Sequence, residues 1–395
     1  MRGLGVAVVG AGSIAGTHLD AYAAQPDADL VAVVDRHRDR AERLAAAYGI
    51  GGVHTDLDAA LADDRVQAVS ICTANESHAD LAVAALDAGR HVLVEKPLST
   101  SVEGARRVAA AATRNARVVQ VGFVRRFSGN VTTLKRFIDA GDLGEVYYAR
   151  ASNLRRAGHP GGWYGAQERS GGGPLIDIGS HVLDLAWYLM GRPEPVTVSA
   201  NRYARLGERA GVGPARYRAT EPGPAGSVED LANAVLRFAN GASLLLDASY
   251  SLHALQDRLS VRLHGDLGGA EVEPELVLAT ERHGTLVNLV PQIEHRSFDL
   301  VQGFRGEIDN FVQACLGREA VLAPVQDGLA VTRMVAAAYA SADAGREVLL
   351  PADREGEGLS EQDGPGSDGP SSDGPASDGR APDGTGPDGT TGAAG

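Results

Sequence analysis

The sequence predicts an α/β protein in which a doubly wound parallel sheet (residues 1–123) precedes an α+β domain (124–350) with an open, mostly antiparallel sheet. Three observations lead there. Up to about residue 120, short β-branched runs that are apolar throughout alternate with alanine-rich amphipathic stretches, the pattern of strands covered by helices on both faces. Beyond residue 124, strand-like runs follow one another through short connections, as antiparallel strands do. From Asp363 to Asp388, Asp-Gly recurs every five residues amid Ser and Pro. Residues 351–395 hold too little apolar surface to offset chain entropy, so a disordered tail is expected.

Taken in order, strands are expected at Gly5–Val9, Leu30–Asp35, Ala68–Thr73, His91–Glu95 and Val118–Gly122, with helices such as Thr17–Ala24, Arg38–Tyr48 and Asp80–Ala88 between them. A helix over Val131–Ala140 ends at Gly141, and a strand follows at Val146–Ala151. A glycine-rich loop then leads into an apolar helix, Leu175–Met190, stopped by Gly191 and Pro193. The open sheet would take Val196–Tyr203, Asn233–Phe238, Ser243–Ser251, Arg258–His264 and Leu286–Val290. Helices around Arg305–Cys315 and Asp327–Ser341 would close the second domain, and residues 204–227 read as a surface loop.

Composition excludes several classes of function. The formal charge is −14, but ten acids and two arginines of it fall in residues 351–395. The rest carries only −6, which argues against a nucleic-acid partner. No apolar run approaches the roughly 20 residues of a membrane span. Cys72 and Cys315 sit in apolar runs without a metal-ligand pattern. They read as buried free thiols, no metal is expected, and with no leader segment in view the expected location is cytoplasmic.

Three motifs carry chemistry. Gly10-Ala11-Gly12-Ser13-Ile14-Ala15 joins a strand to a helix. Gly10 makes the tight turn, Gly12 lets backbone N–H groups approach a pyrophosphate, and Ala15 stays small for helix–strand packing. Asp35 ends the next strand 23 residues after Gly12, placed to accept from the hydroxyls of an adenosine ribose, which favours NAD. Arg36 beside it keeps NADP open.

Glu95-Lys96-Pro97 ends another strand, at the edge where such sheets bind ligands. Among the 37 basic residues only Lys96 and Lys135 are lysines. An amine retained at that edge can hold a reacting oxygen as negative charge develops. Finally, Asp177, His181 and Asp184 share one face of the apolar helix, where His181, oriented by Asp177, can act as a base. Trp163 and Tyr164 offer flat surfaces to a ring-shaped substrate. The carboxylates of Asp177, Asp184 and Glu168 would suit a cationic substrate, whereas Arg126, Arg155, Arg156 and Arg169 would suit an anionic one.

Together these segments resemble the glucose–fructose oxidoreductase and inositol dehydrogenase (Gfo/Idh/MocA) superfamily. The resemblance runs over about residues 4–350, through the glycine turn, Thr73-Ala74-Asn75-Glu76-Ser77-His78, Glu95-Lys96-Pro97, the Gly171–Asp184 block and Pro324-Val325-Gln326-Asp327-Gly328. Ala74 stands where the family often has proline. The resemblance implies Lys96, Asp177 and His181 as a catalytic trio. It also implies Thr73, Asn75, His78, Glu95 and Gln120 along the nicotinamide half of NAD, next to Gly10, Gly12, Ser13, Ile14, Asp35 and Arg36. With Arg126, Trp163 and Tyr164 the trio would hold substrate. The resemblance further implies a cis bond before Pro97 and a homo-oligomer, dimer or tetramer. The function implied is hydride transfer at a ring secondary alcohol of a sugar, amino sugar (an aminoglycoside intermediate among them) or cyclitol. Alternatives are an NAD-dependent glycosidase that oxidises its substrate transiently, and a non-catalytic NAD-binding regulator.

Overall fold

In the computed structural model, which describes residues 3–207, 212 and 227–351, the chain is organised around two sheets. The expected disordered tail and most of the 204–227 loop lie outside the described residues. The first sheet has six parallel strands in the order β3-β2-β1-β4-β5-β6. These are β1 Leu4–Val9, β2 Ala28–Val34, β3 Gly52–His54, β4 Ala68–Ile71, β5 His91–Glu95 and β6 Val119–Gly122. Between them run α1 Ser13–Ala23, α2 Arg38–Tyr48, α3 Leu57–Leu61, α4 His78–Asp87 and α5 Val102–Asn115. Every residue of β1 and β4 is buried, as strands covered on both faces require. The order reverses between β1 and β4, which is where a sheet of this kind opens a ligand crevice.

The second sheet has nine strands, β14-β13-β12-β11-β7-β10-β9-β8-β15. They are β7 Val146–Leu154, β8 Pro195–Tyr203, β9 Leu231–Phe238, β10 Ser243–Ser249, β11 Arg258–Gly265, β12 Gly268–Glu273, β13 Val277–Arg282, β14 Thr285–Leu289 and β15 Val348–Leu349. Neighbours pair antiparallel except β7 with β10, whose parallel register sets Ser243 against Tyr148 and Ser249 against Leu154. Burial alternates along β9 and β10, so one face is covered and the other looks outward. The covered face receives α8, Ser180–Leu189; α6, Gly129–Asp139, packs against β12, and the short α7, Gln167–Ser170, lies against the loop at residues 75–77.

The last two helices correct an expectation. They do not simply close the second domain; both return to the first. Phe304, Ile308, Phe311 and Val312 of α9 (Leu300–Cys315) share one apolar core with Val6, Val8, Leu19 and Leu93. The α10 helix (Val325–Ala344) packs on α5, and the segment before it pairs with β6, where Val121 N donates to Ala323 O at 2.9 Å. Apolar stripes on these helices are legible in sequence, but the surface that they cover is chosen by tertiary fit.

The apolar helix also differs from its expected form. Leu175–Gly179 is a π-turn that leads into α8, with Gly179 N donating to Pro174 O at 2.7 Å. The wider turn shifts the phase between Asp177 and the residues after it.

Candidate active site

The glycine turn has the geometry that a pyrophosphate needs. Gly10 has φ +95°, and a Cβ there would lie 2.6 Å from Cys72 O, so only glycine fits. Gly12 caps α1 with no side chain on its N–H groups, and no protein atom comes within 4 Å of where its Cβ would be. The helix N-terminus therefore faces open space, ready for an anion. Asp35 is fixed at the end of β2 by accepting from Ala11 N at 2.7 Å and His37 N at 2.8 Å. A carboxylate has about four acceptor positions, so lone pairs remain for ribose hydroxyls. Ser13 and Arg36 are exposed at this rim, and Ile14 is half-buried beside them. These features fit NAD.

The residues expected along the nicotinamide half divide into two layers. Thr73 is half-buried at the crevice and accepts from the Ser77 hydroxyl at 2.7 Å. The other four are buried. Asn75 donates to Ser170 O at 2.8 Å and ties the crevice loop to α7. His78 lies between two carbonyls, Pro97 O at 2.7 Å from Nδ1 and Thr73 O at 3.1 Å from Nε2. Burial holds its pKa below the usual histidine range, so the neutral ring donates through one nitrogen only. Glu95 is tied to His18, and Gln120 donates to Glu307 O at 2.8 Å. The side chains of His78 and Gln120 lie beneath the crevice, the first held between two carbonyls and the second donating to Glu307 O.

Lys96 follows β5 and is joined to Pro97 by a cis bond. Its Nζ donates to Asp177 Oδ1 at 2.6 Å and to the Asp177 carbonyl at 3.1 Å. Tyr250, just beyond β10, donates its hydroxyl to Asp177 Oδ2 at 2.7 Å. Burial works to raise the Asp177 pKa, but the charge and hydrogen bond of Lys96, helped by Tyr250, outweigh it, and Asp177 stays ionised. An ammonium has three donors; two are used here, and one is left.

This pairing corrects the role expected of Asp177. Its carboxylate holds Lys96 and Tyr250, not His181, whose Nδ1 is buried with no partner among the described residues. The reason is tertiary: Lys96 beyond β5 and Tyr250 beyond β10 reach both oxygens of the carboxylate. Burial first, then the charges of Lys96, Arg125 and Arg155, hold His181 well below the usual histidine range. The ring is therefore neutral, with a lone pair to offer.

Asp184 and Arg126 also depart from expectation. Arg126 is fully buried and clamps Asp184 at 2.5 and 3.1 Å and Asp327 at 2.5 Å. It joins α8 to the start of α10 and has no surface for substrate. Burial and the neighbouring Asp327 push Asp184 up to about 6, against the pull of Arg126. Trp163 and Tyr164 stack on each other with centroids 3.9 Å apart, which leaves one outer face of each ring. Glu168 is exposed, and Arg169 pairs with Glu76 at 2.9 Å.

Sequence reasoning missed two supports. Tyr250 had no signal beyond a strand end. Glu229 precedes β9, buried, and its two oxygens accept from Gly173 N at 3.0 Å, Leu175 N at 3.2 Å and Tyr339 OH at 2.8 Å. It anchors the turn that presents Asp177. The adjacent glycines allow this approach, since a Cβ on Gly173 would lie 2.3 Å from Glu229 O and one on Gly172 would lie 2.0 Å from the Tyr339 hydroxyl.

The chain is similar to known proteins over most of its length. A family sequence model described as "oxidoreductase family, NAD-binding Rossmann fold" matches residues 4–123, and the GFO/IDH/MocA C-terminal domain matches residues 131–271. The chain is 34% identical over 356 residues to D-glucoside 3-dehydrogenase of Escherichia coli, covering 88% of this chain and 97% of that one. It is 28% identical over 346 residues to inositol 2-dehydrogenase of Rhizobium meliloti, covering 87% and 98%. A crystal structure of GenD2 from gentamicin A biosynthesis in complex with NAD superposes with TM-score 0.73 at 30% identity, covering 89% and 97%. No helix among the described residues is long and apolar enough to cross a membrane. With both family models matched in order along one chain, and a relative of this identity aligned over most of its length, the protein belongs to the Gfo/Idh/MocA family of NAD-binding oxidoreductases.

Proposed function

We propose that this dehydrogenase oxidises a ring secondary hydroxyl of a neutral pyranoside or cyclitol to the ketone, with Lys96 and His181 as the groups that touch the reacting oxygen and Asp177 as the support of Lys96. The observation that carries the reading is the Lys96 ammonium, with two donors committed to Asp177 and one remaining. Bound NAD supplies the hydride acceptor. The lone pair of neutral His181 takes the hydroxyl proton, and the third N–H of Lys96 holds the oxygen as charge builds on it. Tyr250 keeps the Asp177 carboxylate from turning away from Lys96. In ketone reduction the same groups act in reverse.

The choice of a neutral substrate rests on charge. Asp177 and Asp184, which would recruit a cationic sugar, are already paired with Lys96 and Arg126. The charges that act on His181 are those of Lys96, Arg125 and Arg155, all positive. The 34% identity to a D-glucoside 3-dehydrogenase points the same way. An aminoglycoside intermediate is a second reading, favoured by the 30% identity to GenD2.

The test is NADH formation across neutral, amino, acidic and phosphorylated sugars and inositols at fixed ionic strength. Selective turnover of neutral pyranosides or inositols is expected. Selective turnover of cationic sugars would select the second reading. Aglycone release without NADH accumulation would identify a transient-oxidation glycosidase, and tight NAD binding without turnover a regulator.

A further inference from the structure

Behind the Glu95 carboxylate lies a polar chamber that the reaction above does not use. His18 and Tyr22 reach it from one face of α1, Glu95 from β5, Gln120 from β6 and Glu307 from α9. His18, Gln120 and Glu307 are wholly buried, and Tyr22 is nearly so. His18 Nδ1 meets Ser70 Oγ at 3.0 Å, and its Nε2 meets Glu95 Oε1 at 2.9 Å. One nitrogen or oxygen from each of His18, Glu95 and Glu307 lies within 4.8 Å of the other two. Yet neither Glu307 oxygen has a hydrogen-bond partner among the described residues, nor do Gln120 Oε1 and the Tyr22 hydroxyl.

Two carboxylates this close and this deeply buried do not both ionise without further counter-charge. Geometry selects which one does. Glu95 has donors on both oxygens: His18 on Oε1, and the amide of Lys96 on Oε2 at 3.2 Å. Burial raises its pKa, but His18 outweighs burial and holds it low. Burial alone would lower His18; Cys72 and Glu95 outweigh it, and the ring is pushed up. Glu307 has no donor, and burial followed by the charge of Glu95 pushes it well above the usual carboxyl range. The titratable groups facing this chamber are His18 and Tyr22 of α1, Cys72 after β4, Glu95 of β5 and Cys315 of α9.

We propose that Glu307 is a positioning residue, carried in the fold as the neutral acid, which together with His18 fixes the Glu95 carboxylate that holds the amide of Lys96. The protonated acid adds a donor to a chamber whose unpaired atoms are mostly acceptors. It stands within 4.8 Å of the Glu95 carboxylate, on the His18 side. Gly122 makes room on the other side, since a Cβ there would lie 3.1 Å from Glu95 Oε2. The chain of support therefore runs from α9 through Glu307 and Glu95 to Lys96. Only the kinetic arm of the test rests on the function proposed above.

The first arm compares the full chain with Glu307→Gln, an isostere of the neutral acid, by thermal unfolding from pH 5 to pH 8. A raised pKa means that the native state keeps a proton which the unfolded chain has released, so native stability falls as pH rises toward the folded pKa. Glutamine does not titrate. The Gln variant should therefore exceed the wild type in Tm by a gap that widens with pH, to about 4 °C or more at pH 8. The second arm uses Glu307→Ala, which frees Glu95 to move. It should lower kcat roughly tenfold or more with NAD affinity within about threefold, and Gln should recover most of the lost turnover.

A Gln variant that loses the same Tm at every pH would mean an ionised, paired Glu307. One equivalent of divalent metal, found by elemental analysis in the wild type and absent from the Gln variant, would mean a metal ligand. Unchanged kcat in the Ala variant would reduce the cluster to fold support. The unfolding arm needs neither NAD nor sugar. A chain that turns over no polyol but shows the widening Tm gap sinks the enzymatic reading alone; a missing gap sinks this one alone.

Discussion

Replacing Lys96 by arginine keeps the charge and should still abolish most of the activity. The ammonium spends two donors on Asp177, at 2.6 and 3.1 Å, in a pocket where its side chain is 13% exposed. The third is the donor available to the reacting oxygen. A guanidinium can satisfy Asp177 with its planar fork, so little stability should be lost. Its bulk lies in that same plane, and it cannot also place a compact donor at the third position. Removing one preorganised donor of this type costs about 2.7–4 kcal/mol, or roughly 100- to 1,000-fold in kcat. Steady-state NADH formation, NAD titration and thermal unfolding of Lys96→Arg would together test this. The expected result is a kcat loss of about 100-fold or more, with NAD affinity and Tm little changed. Near-normal kcat would place Lys96 outside the chemistry, and an equal collapse of Tm would make its role structural.

Tyr250→Phe removes one donor from the buried Asp177 carboxylate, 2.7 Å away, and should lower kcat about tenfold at roughly 1–2 kcal/mol, read from the same assay. Asp35→Ser should shift kcat/KM toward NADP but also weaken NAD binding, because the carboxylate holds the turn through Ala11 N and His37 N; unchanged NAD affinity would refute that second role. His181 is held below its usual value by burial and then by Lys96, so its folded pKa lies below the unfolded one. The unfolded chain then takes up a proton that the native state refuses, and this stability is intact above about pH 6.5 and lost as pH falls. The acid limb of kcat/KM should accordingly lie below pH 6.5, and a limb at or above it would contradict a neutral buried base. Glu229→Gln retains the shape but weakens acceptance from Gly173 and Leu175. It should lower kcat more than it raises KM, measured with the identified sugar.

Much of this protein is determined locally. Apolar β-branched runs and alanine-rich helices specify a covered parallel sheet because each strand must bury both faces, and β5 and α2 begin and end where the pattern says. The glycine turn, Asp35 and Lys96 are legible because the chemistry of a strand end depends on a few adjacent residues. The tertiary structure decided the rest, for reasons of distance along the chain. Asp177 meets Lys96 across 81 residues and Tyr250 across 73, and Arg126 meets Asp327 across 201. No periodicity encodes such pairings. An acid on a helix face can serve a histidine, a lysine or an arginine equally well until the fold brings one of them within reach. Lys96 and Tyr250 settled that choice for Asp177, and the buried Arg126 settled it for Asp184. Glu307 reads as one more helical carboxylate in sequence; only the return of α9 to the first sheet makes it a buried neighbour of Glu95.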